Sequence, residues 1–274
     1  MKKATYTMLA AIAAVCMMVA PTHAQVSASV GADFNSAYVF RGATLNDGFV
    51  FQPGIEVSGL GGFTFGAWGN MDLDSLEGTV NSVADAASDG DVDGTADAAG
   101  SAKESLDSEF SEVDLYANWG WSPVDGLDLG MGYTEYMYPY AAEARVGADR
   151  EISASTGISI PFGDALSLDP TLTVFYGLAG GLEDVIQADL ASDLSIPLVE
   201  DTFGIDLSGR IGYVLDEGDD ASYYADSGLR DITLTAATSW EFLGIALNYV
   251  VDSDEDVQPL DEDFWVTLSV GKEF

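Results

Sequence analysis

Apolar and polar residues alternate along most of this chain. In the final stretch, Phe264, Val266, Leu268, Val270 and Phe274 fall on one face, and Thr267, Ser269, Gly271 and Glu273 on the other. A period of two places successive side chains on opposite sides of a strand. The same pattern opens the chain, over about Val26–Gly42. There Val26, Ala28, Val30, Ala32 and Phe34 oppose Ser27, Ser29, Gly31, Asp33 and Asn35. Next, Phe51, Ile55 and Val57 oppose Gln52, Glu56 and Ser58, and Phe63, Phe65, Ala67 and Met71 oppose Thr64, Trp68, Asn70 and Asp72. Further runs begin near Glu112, Leu127, Ile152, Leu168, Ile186, Phe203, Ile232 and Ile245. With the terminal run, about twelve strands are predicted.

The connections alternate as well. Short ones lie near Gly59–Gly61, Ser122–Gly126, Phe162–Ser167, Val199–Thr202 and Leu243. Longer ones lie near Ala43–Gly48, Leu73–Ser111, Pro139–Ala148, Ala179–Asp184, Asp216–Gly228 and Asp252–Glu262. The expectation is an all-β fold: an antiparallel, up-and-down transmembrane β-barrel with short periplasmic turns and longer external loops. Residues 73–111 would form a long acidic external loop. The terminal strand must then pair with the first strand near Val26 to close the barrel.

Alternation does not say which face points outward. A soluble barrel would turn its apolar side chains inward. Here the more polar face is rich in Gly, Ser, Thr, Asn and Asp, and the strands carry few lysines, unlike a water-facing exterior. Aromatic residues cluster at strand ends: Tyr38, Phe40, Tyr133, Tyr176, Tyr213, Tyr249 and Phe264 near the long loops, and Trp119, Trp121, Trp240, Phe242 and Phe274 near the short turns. These predict two interfacial girdles and an apolar face toward lipid. Pro53 and Pro170 fall inside predicted strands. A closed barrel has no free edge for a missing N–H, so each should mark a bulge or a strand end.

Lys2 and Lys3 precede an apolar stretch from Met8 to Ala20, and Thr22-His23-Ala24 offers a small-residue cleavage site. Residues 1–24 read as a signal peptide and 25–274 as the barrel, destined for the cell outer membrane. Cleavage would remove the single cysteine, Cys16, and the single histidine, His23. The mature chain then has no disulfide, no Ser–His or Cys–His pair, and no zinc site built on those residues. An enzyme is not expected. The formal net charge of −37 argues against nucleic acid as a partner and favours cations.

Residues on the polar face are the candidate pore lining: Asp33, Asn35, Arg41, Gln52, Glu56, Trp68, Asn70, Asp72, Asp114, Asp206, Arg210 and Glu241. Asp128, Asp189 and Asp193 are predicted to share that lumen. Arg41 and Arg210 are the two strand arginines expected there. A ring of inward carboxylates favours cations; the same charges could instead pair internally and fill the barrel. The loop segment Asp89-Gly-Asp91-Val-Asp93-Gly94, with Asp97 following, matches the first half of a calcium loop. The bidentate glutamate position falls on Gly100, so Asp89, Asp91, Asp93 and Asp97 predict weak calcium binding at most. No other cofactor is expected.

The stretch Phe34-Asn-Ser-Ala-Tyr38-Val-Phe-Arg41-Gly42, then Leu45-Asn-Asp47-Gly48, Gln52-Pro53, Gly61-Gly-Phe63 and Trp68-Gly-Asn70-Met-Asp72 resembles the opening hairpins of the TorF-type porin family of Gram-negative bacteria. The resemblance covers roughly forty residues well, and the acidic insertion after Asp72 departs from it. It implies an outer-membrane barrel. The final strand, closing on Phe274, resembles the terminal strand of bacterial outer-membrane barrels. The partners expected are outer-membrane lipid, the barrel-assembly machinery through that strand, and small solutes or cations. The resulting function is a porin-like channel for passive diffusion of small solutes, cation-preferring. The competing reading is a structural or adhesive barrel with a plugged lumen and acidic surface loops.

Overall fold

The computed structural model describes residues 26–73, 110–139, 148–162, 166–199, 203–218, 223–254, 256–258 and 260–274. The strands in chain order are β1 (Ser27–Asn35), β2 (Tyr38–Phe40), β3 (Ala43–Asn46), β4 (Val50–Leu60), β5 (Phe63–Asp72), β6 (Phe110–Val124), β7 (Leu127–Met137), β8 (Asp149–Ile158) and β9 (Ile160–Phe162). They continue as β10 (Leu166–Leu168), β11 (Thr171–Ala179), β12 (Ile186–Val199), β13 (Phe203–Asp216), β14 (Gly228–Trp240), β15 (Leu243–Asp252) and β16 (Phe264–Glu273). β8 with β9, and β10 with β11, are single barrel strands interrupted at Ser159 and at Asp169-Pro170. Neighbours are antiparallel throughout. The circuit runs β1, β4, β5, β6, β7, β8, β11, β12, β13, β14, β15, β16 and returns to β1, giving the closed twelve-stranded barrel expected.

Closure uses the register Ser29↔Glu273 to Asn35↔Thr267. Ala28 and Phe274 then exchange both backbone hydrogen bonds, at 3.3 and 2.8 Å. Every strand of the circuit finds two partners, as a sheet without edges requires. Only one of the two prolines marks a strand end as anticipated; Pro53 sits inside β4 with no bulge there. The β4–β5 ladder omits Gln52 and Pro53 while keeping its register on either side. Pro170 lies in the break between β10 and β11, where its carbonyl accepts from Ile158 N.

The faces also fall as predicted. Val30, Phe34, Ile55, Phe65, Leu115, Leu190, Ile211, Leu234, Leu247 and Leu268 stand outward and exposed on the barrel surface. A continuous apolar coat of this extent suits lipid rather than water. Tyr176, Tyr213, Tyr249 and Phe264 are exposed toward the longer connections, and Trp121, Trp240, Phe242 and Phe274 toward the short turns. Inside, small and polar side chains are interspersed with aromatic rings such as Trp68, Tyr116 and Phe175. Tyr116 lies flat along the inner wall because Gly66 opposite it on β5 has no side chain; a Cβ there would strike the ring.

One part of the expected layout is wrong. The first strand does not run to Gly42. β1 stops at Asn35, and the chain turns inward as the short β2–β3 hairpin, which forms its own two-stranded sheet. Tyr38 and Phe40 therefore leave the lipid girdle predicted for them. Tyr38 is buried, and Phe40 packs edge-on against Tyr136 at 5.9 Å. Alternation continues unbroken through Tyr38-Val39-Phe40, so the period alone contains no signal for the turn.

Candidate functional site

The hairpin tip is a two-residue turn, Arg41-Gly42, between Phe40 and Ala43. Both turn residues have positive φ, 48° and 83°, as a tight primed hairpin turn needs. Gly42 fits because it has no side chain: a Cβ would lie 2.5 Å from Asp231 Cβ and 2.6 Å from Gln258 Nε2. Arg41 accepts a backbone region that costs a non-glycine residue about 1 kcal/mol or more. Its side chain supplies the compensation.

Arg41 crosses the lumen. It leaves the connection between β1 and β4 and meets strands on the opposite side of the circuit. Its guanidinium donates two hydrogen bonds to Glu151 on β8, at 2.5 and 2.9 Å, and one to Gln187 on β12 at 3.5 Å. It also lies 3.9 Å from the ring centroid of Phe175 on β11. Both ends of the ion pair are buried. Burial opposes the charge on Arg41, but Glu151 outweighs it, so the guanidinium pKa is raised.

From Gln187 the network continues around the wall. Gln187 accepts from Tyr224 at 2.9 Å and from Arg230 at 2.6 Å. Arg230 pairs with Asp189 at 2.6 Å and with Asp231 at 2.9 Å, and Asp231 pairs with Arg210 at 2.7 Å. Tyr136 donates to Glu151 at 2.8 Å, and Thr233 to Asp231 at 2.6 Å. Three arginines, Arg41, Arg210 and Arg230, thus face three carboxylates, Glu151, Asp189 and Asp231. Their formal charges cancel.

Alternation along the chain predicts Arg41 and Arg210 here but gives no sign of Arg230. A β-bulge explains it. Gly212 pairs with Asp231 while Tyr213 pairs with Leu229, leaving Arg230 as the extra residue. A bulge of this kind aims two successive side chains to one side. Arg230 and Asp231 are both fully buried in the lumen wall.

A second belt spans the other half of the barrel. Thr235 bonds Asn248, Asn248 bonds Thr267, and Thr267 donates to Asn35 at 2.5 Å. Asn35 then donates to Gln52 at 2.7 Å, Gln52 to Asn70 at 2.9 Å, and Asn70 to Asp72 and Ser111. This chain links seven neighbouring strands, β14 through β6. It brings four predicted lumen residues, Asn35, Gln52, Asn70 and Asp72, into one network.

Above the hairpin, three connections fold together. Tyr223 N donates to Gly181 O and Ala225 N to Val257 O, while Thr44 accepts from Asp261 and Glu262 N. They bury a cluster of Tyr136, Leu182, Val185, Val214, Tyr224 and Val257, with Phe40, Tyr138 and Tyr223 packed against it. Tyr38 belongs to the same end. Its hydroxyl donates to Glu112 at 2.9 Å, and burial first, then Glu112, pushes its pKa well above 10.

The hairpin leaves a cavity of about 610 Å³ on one side and about 440 Å³ on the other. Asp33, Gln52, Glu56, Trp68 and Asp114 line the larger; Arg41, Asp189 and Arg210 line the smaller. Asp206 is exposed and bonds Ser195 at 2.6 Å. Asp128 is likewise exposed and accepts from Ser122. Glu241, expected on the lumen wall, lies instead in the two-residue turn between β14 and β15, at φ 52°. Residues 1–24, expected to be a signal peptide, and the calcium candidates Asp89, Asp91, Asp93 and Asp97 lie outside the described residues.

No family model matches the sequence, and no curated protein does. Solved structures do match. An outer membrane channel from Pseudomonas putida F1 aligns with TM-score 0.52 at 10% identity, over 93% of this chain and 97% of that one. The NanC porin aligns at TM-score 0.49 and 8% identity, over 89% and 99%, and the KdgM porin at 0.46 and 9%, over 90% and 98%. At these identities the likeness concerns the fold. The chain shares the closed barrel architecture of the Pseudomonas channel over nearly its whole length.

Proposed function

We propose that this protein is a porin-type channel of the outer membrane that passes small solutes by diffusion. The observation that carries the reading is the lumen itself: an apolar-coated barrel whose interior is polar and holds two sizeable cavities beside a hairpin narrowing. A twelve-stranded barrel is narrower than a sixteen-stranded porin, so the hairpin sets a small cut-off.

Cation preference follows from which charges remain after pairing. The arginine network is neutral as a unit. The larger cavity retains Asp33 and Glu56 with no lysine or arginine among its lining residues. A wall of that sign raises the local cation concentration.

The buried cluster at the outer end favours a second reading, a plugged barrel that serves a structural role. Planar-bilayer recording under a salt gradient separates the two. The channel predicts discrete conductance steps and a cation-directed reversal potential. Silence at every voltage supports the plug, and an anion-directed reversal refutes the acidic-lumen mechanism alone.

A further inference from the structure

The two cavities beside the hairpin differ in chemistry. Arg41 and Arg210 line the smaller one, whereas the larger combines carboxylates with aromatic rings. Tyr38 and Trp68 have centroids 5.7 Å apart with planes tilted by 52°, so they form a corner and not a stack. Tyr116 adds a third ring, its hydroxyl donating to Glu56 at 3.1 Å. Glu56 keeps acceptor capacity, since an ionised carboxylate has about four lone-pair sites. Asp114 Oδ1 is buried without a hydrogen-bond partner. An apolar solute would leave these oxygens unpaired, and an anion would meet the like charges of Asp33 and Glu56. A compact cation with an apolar body satisfies both surfaces. Ring faces attract cations, the more strongly the less water intervenes.

We infer that the larger cavity binds small organic ammonium ions, with the cationic head between the Trp68, Tyr38 and Tyr116 rings and Asp33 and Glu56 balancing its charge. This deepens the channel reading by naming a class of solute, and it rests on the lumen being accessible to solutes. The site discriminates against neutral molecules of the same shape, because only the charge engages the carboxylates and the ring quadrupoles.

Calorimetric titration of the folded full chain in detergent tests it, with choline chloride as the probe at constant ionic strength held by sodium chloride. The neutral probe is 3,3-dimethylbutan-1-ol, which replaces the quaternary nitrogen by carbon. Choline should give saturable heat and the alcohol none. Trp68→Leu and the isosteric Glu56→Gln should each weaken choline about tenfold. Asp226→Asn, at an exposed loop position, should change it by less than about twofold. Equal binding of the alcohol, no saturable heat, or unchanged affinity in both Trp68→Leu and Glu56→Gln overturns the inference. Choline failure beside cation-directed conductance rejects this site and leaves the channel. Choline binding in a barrel that never conducts keeps the site and rejects the channel.

Discussion

Arg41 is the residue whose removal tests the architecture most directly. In Arg41→Ala the tip of the β2–β3 hairpin loses both bonds to Glu151, the contact with Gln187 and the Phe175 ring. Removing one partner of a buried pair costs about 3–5 kcal/mol, because the survivor stays buried and unpaired. The side chains here are only 8% and 4% exposed, so solvent screening does not reduce the figure much. Glu151 does keep the Tyr136 hydroxyl at 2.8 Å, and adjoining lumen space can admit water. The expected loss is therefore near the lower end, about 3 kcal/mol. Backbone strain supplies an internal control. At φ 48° alanine retains a left-handed cost of about 1–2 kcal/mol that glycine lacks, and glycine's greater freedom when unfolded returns about 0.5–1. Arg41→Gly should thus be more stable than Arg41→Ala by about 0.5–1 kcal/mol although both lack the ion pair. Adding Glu151→Gln to Arg41→Ala should recover about 1–2 kcal/mol by removing the stranded charge. Urea unfolding from lipid vesicles, followed by tryptophan fluorescence, gives the stabilities, and single-channel recording should show a larger step once the crossing side chain is gone. A wild-type midpoint in Arg41→Ala, or Arg41→Gly no more stable than Arg41→Ala, would refute the anchored hairpin.

Other predictions concern separate elements. Gly42→Ala combines positive φ with a Cβ 2.5 Å from Asp231 Cβ, and should cost about 2 kcal/mol or more in the same urea assay. Tyr38 remains a neutral phenol in the folded barrel beyond pH 10. Its stabilisation is complete below pH 10 and is lost as the pH rises toward its raised folded value. Alkaline urea titrations should show a decline above pH 10 that Tyr38→Phe diminishes. Phe274→Ser weakens the outward aromatic at the closing seam, and should lower the folded yield in the heat-shift gel assay while leaving the Ala28 backbone bonds available.

Much of the barrel was legible in the chain because a membrane barrel writes its cross-section locally. Each strand meets lipid on one side and lumen on the other, so the two-residue period of β4, β5, β13 or β16 reports both its existence and its facing. Pro170 was readable as a strand break, since a missing N–H has consequences in any closed ladder. Pro53 was not, because β4 passes through it without a bulge and the ladder to β5 only skips its pairing. The inward hairpin was not readable either. Tyr38 and Phe40 continue the alternation of β1, and only the spacing of two short runs around Arg41-Gly42 hints at a turn. Arg230 was hidden by a bulge that cancels the period at one position.

What the sequence alone determined was the set of strands, their alternating faces and the acidic balance of the chain, all of which depend on neighbours in the chain or on composition. Tertiary structure decided which charges cancel. Arg41 finds Glu151 110 residues away, and Gln187 146 residues away. Those pairings exist because closing twelve strands brings the β1–β4 connection opposite β8 and β12. No local period encodes a distance across a lumen, so the division into a neutral network and an acidic aromatic cavity emerges only when the barrel is closed.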